Sequence, residues 1–299
     1  SPQVAYGTVR LHAAPMSAAD IASSYASERP ENNTALDREL RRVLTGEGNP
    51  DVNLAPVGPG WQRVLDLDLC DAAQAQRFYL QGNLGCLHWE PQGLRIATPQ
   101  EEPFAQEHAA HDNRQMYLWC RDWFEGSMYV RFDFLPLEPG GLAILIANAS
   151  GMQGEDFLRD YPPRTDGSMK TIHSSDIRME HWEFYREMND VRNDVPTHAI
   201  VKWPWERVLS AGVARSPLRR CEWNTIEYLK EGKRICGAVN GELVIEADDC
   251  PLAGQGPTLA CGHIAIRCMI RTAVRLRNLQ VQSRPDGPPP PAGQSSREV

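Results

Sequence analysis

The stretch MKTIHSSDIRMEHWEFYREMND, residues 169 to 190, gathers two histidines, three aromatics and a crowd of opposite charges into 22 positions. Histidine changes charge near neutral pH, and with carboxylates, tyrosine and arginine beside it the set can exchange protons and neutralise an anion. If residues 178 to 187 form a strand, side chains alternate between its faces. His181, Glu183, Tyr185 and Glu187 then share one face, and Glu180, Trp182, Phe184 and Arg186 the other. His173 and Asp176 lie just upstream, where a turn brings them over the same groove. The stretch also suits a helix, with Met179, Trp182 and Arg186 on an i, i+3, i+7 stripe and the charges facing water.

Two reactions compete for this set. An elimination needs a group to neutralise a carboxylate, a base for the proton beside it and an acid for the leaving oxygen. The concrete version has His181 as base, Tyr185 as acid and Arg178 or His173 as neutraliser, with Arg178 and Arg186 able to hold a carboxylate bidentately. Hydrolysis by a pair of carboxylates needs them about 5 to 9.5 Å apart, whereas Glu183 and Glu187 on one strand would stand about 13 Å apart unless a bulge intervenes. Elimination is slightly ahead.

In VKWPWERV, Trp203 and Trp205 flank a proline, where they could stack on sugar rings or cap the edge of a core. EHAAH, with Glu107, His108 and His111, lacks the spacing of a helical zinc site and reads as a surface loop. Asp248, Asp249 and the acids of GEDF could help hold a structural calcium; no other cofactor is implied. There is no G-x-S-x-G elbow and no phosphate-cradling glycine loop.

The elements that must position these groups read as strands. SMYVRFDFLP alternates Met128, Val130, Phe132 and Phe134 against Tyr129, Arg131 and Asp133, and GLAILIANA is a continuous apolar run suited to a strand covered on both faces. TIEYLKEGKRICGAVNGELVIE reads as three strands turning at Glu231-Gly232 and Asn240-Gly241, and GHIAIRCMIRTAVRLRNLQVQ supplies two more. Many short strands with frequent turns specify a sandwich or jelly roll.

Residues 223 to 249 with GHIAIR and VRLRNLQVQ resemble the closing half of concanavalin A-like lectin/glucanase jelly rolls. Within that superfamily GMQGEDF (151 to 157), HSSDI (173 to 177) and EHWEFYRE (180 to 187) resemble the YesU-like family, long labelled as of unknown function and linked to plant polysaccharide use. The resemblance implies an all-β sandwich of two antiparallel sheets and a carbohydrate ligand, and fixes no reaction. The E-x-D-x-x-E pattern of laminarinase and agarase relatives is missing, because Tyr185 stands where the middle aspartate would be. SAADI and the strand before it resemble the end of a laminin-G-like domain, so residues 1 to 59 read as a short helical arm, or the remnant of a preceding module, plus linker. The jelly roll is expected over residues 60 to 282 and a Pro-rich disordered tail over residues 283 to 299.

A formal charge of -8, from 39 acidic against 31 basic side chains, gives no general attraction to nucleic acid. No apolar run is long enough to span a bilayer. Eight cysteines without a C-x-x-C pair fit an exported protein with disulfides or buried thiols in strands, and the lean is to a secreted or periplasmic location. The expectation is therefore a polysaccharide lyase-type or glycoside hydrolase-type enzyme, the lyase slightly ahead, working on a polysaccharide or oligosaccharide from the concave sheet through residues 173 to 187. The competing readings are a non-catalytic carbohydrate-binding module within a longer modular chain and an interaction domain that has lost its chemistry.

Overall fold

The computed structural model describes residues 50–82, 86–98, 115–168, 176–187, 198–212, 216–251, 256–269 and 271–285. Among them sixteen strands follow one another: β1 (Gln62–Leu67), β2 (Phe78–Gly82), β3 (Leu87–Glu90), β4 (Gly93–Ala97), β5 (Met116–Cys120), β6 (Phe124–Glu125), β7 (Ser127–Pro136), β8 (Gly141–Gly151), β9 (Ile177–Glu187), β10 (His198–Trp203), β11 (Arg207–Gly212), β12 (Asn224–Glu231), β13 (Arg234–Val239), β14 (Glu242–Asp248), β15 (Cys261–Cys268) and β16 (Ala273–Arg284). One helical turn, α1 (Phe157–Asp160), follows β8.

The strands pair into two antiparallel sheets. The first runs β14-β13-β12-β7-β16-β4-β3 with β1 on β16, and the second β11-β10-β9-β8-β15-β5-β2 with β6 on β15. Of the predicted strands, β7, β12 and β16 lie inside the first sheet and β8 and β15 inside the second, while β14 forms an edge of the first. Met128, Val130, Phe132 and Phe134 of β7 face Ala143, Leu145 and Ala147 of β8 across one shared core. Leu142, Ile144, Ile146 and Ala149 of the same β8 face outward into a second apolar cluster, which explains why that strand is apolar throughout. Asn240 and Gly241 both take positive φ between β13 and β14, as a tight hairpin with a right-handed twist requires.

The arm and tail expected at the two ends lie mostly outside the described residues. Residues 50 to 54, placed with the linker by the sequence, instead run along the first sheet: Val52 donates to the Gly241 carbonyl at 2.7 Å, and Leu54 packs with Tyr129 and Leu243. All eight cysteines carry free thiols, and burial pushes those of Cys86 and Cys236 up to about 11. No helix among the described residues is long and apolar enough to cross a membrane.

Candidate functional site

Within residues 169 to 190, Ile177–Glu187 form strand β9, paired with β10 on one side and β8 on the other; residues 169 to 175 and 188 to 190 lie outside the described residues. Its outer-facing positions line up with those of neighbouring strands, so the register itself draws the site. One cross-strand row reads Glu183, Ile144, Arg267, Tyr117, Gln81, and the next reads Val201, His181, Ile146, Ala265, Trp119, Tyr79. Neighbouring strands lie about 4.8 Å apart, so Glu183 and Arg267 stand roughly 10 Å from each other across the apolar Ile144. The arrangement is a buried apolar layer of Ile144, Ile146 and Ala265, with Glu183 and His181 on one side and Arg267 and aromatic rings on the other.

Strict alternation along β9 fails at one point. Ile144 pairs with Glu183 while Ala143 pairs with Tyr185, so Phe184 is an extra residue and forms a β-bulge. Both Phe184 and Tyr185 consequently turn into the core between the sheets, where Phe134 packs 5.0 Å and 5.2 Å from their ring centres. The expectation that Tyr185 shares a face with His181 is corrected here: its hydroxyl donates to the Gly140 carbonyl at 3.1 Å, and burial pushes its pKa up to about 12. Past the bulge the phase is reversed, and Arg186 joins the outer face assigned by the sequence to its opposite.

His181, Glu183 and Arg186 therefore form the ionisable group. Arg186 Nη1 donates to Glu183 Oε2 at 2.5 Å, and the other carboxylate oxygen lies 3.5 Å from His181 Nε2. Trp203 Nε1 donates to His181 Nδ1 at 3.2 Å. An indole can only donate, so this contact fixes the neutral imidazole with its proton on Nε2, facing Glu183. Burial, which seals His181 to 2% exposure, lowers its pKa, against the opposing pull of Glu183. Burial would raise Glu183, but His181 and Arg186 outweigh it and hold the carboxyl at about 2. Since His181 is neutral, the guanidinium is the lasting counter-charge. The basic lone pair of His181 is thus occupied by Trp203, and the group offers a fixed carboxylate beside a fixed guanidinium.

The remaining candidates separate. Arg178 is in phase with Glu180 and Trp182, and donates to Ser150 Oγ at 3.0 Å and to the Met152 carbonyl, away from His181. Asp176 is exposed and pairs with Arg164, whose guanidinium lies 5.7 Å from the centre of the Phe157 ring. Trp203 belongs to the outer apolar cluster with Met179, whereas Trp205 closes an edge of the sandwich over Lys202, 5.4 Å from its ammonium. A Cβ on Gly256 would stand 2.3 Å from the Trp205 ring, so Gly256 packs directly against the half-buried indole. His173 and the side chain of Glu187 lie outside the described residues, as do Glu107, His108 and His111.

Residues 151 to 168 form a strap over the other half of this face. Asp156 caps α1 and binds His263 Nε2 at 2.8 Å; Gln81 Nε2 donates to the Asp166 carbonyl at 2.6 Å; Tyr117 donates to Ser168. The GMQGEDF motif starts this strap, and a Cβ on Gly151 would lie 2.2 Å from Glu155 Oε2, so a side chain there would displace that carboxylate. The acids considered for calcium are engaged elsewhere: Asp249 by Lys202 and Lys230, Asp156 by His263, Glu155 by the Gln153 amide. No group of three metal-ligating side chains suited to an ion occurs among the described residues.

Arg267 is the residue that sequence reasoning missed. It is fully buried, donates to Gln115 Oε1 at 2.6 Å and lies 5.0 Å from the centre of the Tyr117 ring. The signal was present in CGHIAIRC: Ile264, Ile266 and Cys268 occupy the core phase, which leaves His263, Ala265 and Arg267 for the opposite face.

Two face-to-face antiparallel sheets with this strapped outer face define an all-β sandwich of the galectin and concanavalin A-like class. The family model described as Domain of unknown function (DUF1961) matches residues 77–281, and the chain belongs to that family. Uncharacterized protein YesU of Bacillus subtilis (strain 168) is 26% identical over 172 residues, spanning 54% of this chain and 75% of that protein. A crystal structure from Bacillus subtilis, of a protein of unknown function with galectin-like fold, covers 74% of this chain and 97% of that one, at 21% identity and a TM-score of 0.63. The resemblance carried by GMQGEDF and EHWEFYRE is thereby confirmed at the level of family and fold.

Proposed function

We propose that the protein recognises an oligosaccharide or polysaccharide on the outer face of the second sheet, with Glu183 and Arg186 as its polar contacts. A sugar presents hydroxyls at its rim and C–H groups on its ring faces, so it is held by fixed charged acceptors and donors beside apolar and aromatic walls. The observation that carries this reading is the Glu183–Arg186 pair, 14% and 23% exposed, at the margin of the buried apolar layer of Ile144 and Ile146. His181 is sealed behind them and acts as a positioning residue for Glu183.

Recognition is favoured over elimination because the proton-transfer set of the lyase reading is not gathered. Tyr185 lies between the sheets, Arg178 is tied to Ser150, and His181 has its basic nitrogen occupied. We place this activity outside the cytoplasm, secreted or periplasmic, which fractionation of the producing cell would check.

The test is calorimetric titration of the protein against pectic, alginate-like and neutral glycans, run beside absorbance at about 235 nm and a reducing-sugar assay. Binding without new reducing ends, weakened at least tenfold in Glu183→Gln, is the expected result. A rise at that wavelength would establish β-elimination instead, and new reducing ends without it would establish hydrolysis.

A further inference from the structure

Glu183 stands in a corner of the outer face. Towards β8 its neighbour is Ile144, fully buried; towards the start of β9 the next outer side chains are His181 and Met179, buried as well; towards its end Arg186 binds the carboxylate itself. A ligand unit that meets the pair therefore has no room to be followed by another unit over β8 or along β9.

The direction across β10 and β11 is different. Glu183 pairs with Ala199 and Ala199 with Ala211, both half-buried, and a methyl group is too short to reach over the carboxylate. The row beside it continues from His181 to Val201, half-buried, and then to Val208. At 59%, Val208 is the one large apolar side chain of the second sheet that is exposed among the described residues. Its outward position is built by a bulge: Ile200 pairs with Ser210 but Val201 with Val208, so the extra residue Leu209 turns into the core along with Ser210. Glu183 and Ala211 are two strand spacings apart, roughly 10 Å. The accessible part of the face is thus a short shelf, stopped at Glu183 and Arg186, carried by Val201 and Val208, and running out at β11, an edge of the sheet.

A pyranose has a rim of hydroxyls and apolar C–H faces, so a charged pair suits its rim and adjoining valines suit a face. A groove that passes right over a sheet accepts the middle of a chain, whereas a shelf stopped at one end accepts a terminus. We infer that the site reads the end of a glycan chain: the terminal unit meets Glu183 and Arg186, and the units behind it cross Val201 and Val208 and leave over β11. This rests on the glycan-binding reading above and names the part of the glycan that is recognised.

The experiment titrates the full chain calorimetrically with galacturonate, guluronate and β-glucan oligomers of increasing length and with their parent polymers. For whichever series binds, the expected result is one protein per glycan chain at every length, with an affinity per chain that stops rising after the first few units. Altering one terminus, the reducing unit by borohydride or the opposite unit by methylation, should weaken binding at least tenfold, and altering the other should leave it within about twofold. Val208→Asp, with an unchanged unfolding midpoint, should weaken the longer oligomers at least tenfold, whereas Val64→Asp, the same change at an exposed valine of β1, should leave them within about twofold. Bound protein that rises in proportion to chain length, indifference to both terminal changes, or full affinity in Val208→Asp overturns the end assignment and leaves glycan recognition standing. Binding to no member of the panel overturns the reading beneath it.

Discussion

Tyr185 shows how much one inserted residue decides. Its ring is 4% exposed, its hydroxyl already donates to the Gly140 carbonyl, and with a pKa of about 12 it keeps its proton at any ordinary pH. Tyr185→Phe should therefore cost about 1 kcal/mol of stability, the worth of one buried hydrogen bond, and leave glycan affinity within about twofold. Urea unfolding and titration on the same preparation separate the two readouts; lost affinity at unchanged stability would return Tyr185 to the binding face. Residue types in 178 to 187 were enough to mark where charge and aromatic groups concentrate. Their partners could not be read, because which face Tyr185 and Arg186 occupy depends on the bulge at Phe184, and a bulge is settled by the register with β8 and not by local sequence.

Between elements, β9 does a second job on its inner side. Glu180 accepts from Tyr228 at 2.8 Å, from Asn148 at 2.9 Å and from Lys230; Lys230 also reaches Asp249 at 3.1 Å, and Lys202 reaches Asp249 at 2.6 Å. Asn148 is placed by another bulge, in β8, where it adopts a φ of +51°. Two carboxyls and two ammonium groups are thus closed off between the sheets, tying β9 and β10 to β12. Burial raises the Glu180 pKa, while Lys230 and Lys202 overcome burial at Asp249 and hold it at about 2. Lys230→Met removes the cation shared by both acids and should cost about 3 to 5 kcal/mol, the range for breaking one side of a buried ion pair. Adding Glu180→Met should recover much of that loss, because Asp249 keeps Lys202 and the Leu259 amide. Equilibrium unfolding of the single and double variants measures both, and a loss below about 1 kcal/mol in the single variant would deny the network its structural role. The strands themselves were legible: β7, β8 and the β12–β13–β14 meander carry their periods and their turn residues openly. This network was hidden, since its members come from β9, β10, β12 and the segment after β14, and each alone reads as one more solvated charge.

Taken as one folding unit, the sandwich should lose stability on mild acidification, and a single buried ring accounts for most of it. His198 is fully enclosed at the start of β10, its ring centre 6.1 Å from that of Trp182, and among the described residues neither ring nitrogen has a well-formed hydrogen bond, the backbone of Glu183 only partly opposing burial. Burial lowers its pKa from 6.5 to about 4. Between those two values the unfolded chain binds a proton that the folded one refuses, so stability is complete above pH 6.5 and falls as pH drops towards 4. A shift of that size corresponds to about 3 kcal/mol. His181, also lowered by burial, adds to the loss with the same sign. Asp249 works lower on the scale: held at about 2, it contributes stability above its ordinary value of 3.8 that disappears only as pH falls through 2. His198→Leu replaces an unsatisfied polar ring with an apolar side chain of similar bulk in an apolar setting, so it should stabilise the protein at pH 5 and flatten the slope between pH 7 and pH 5. Urea unfolding at the two pH values, with the same denaturant dependence in both proteins, is the measurement. An unchanged slope in the variant would move the titration to His181, and then Trp203→Phe, which frees Nδ1 of that ring, should be the substitution that alters it.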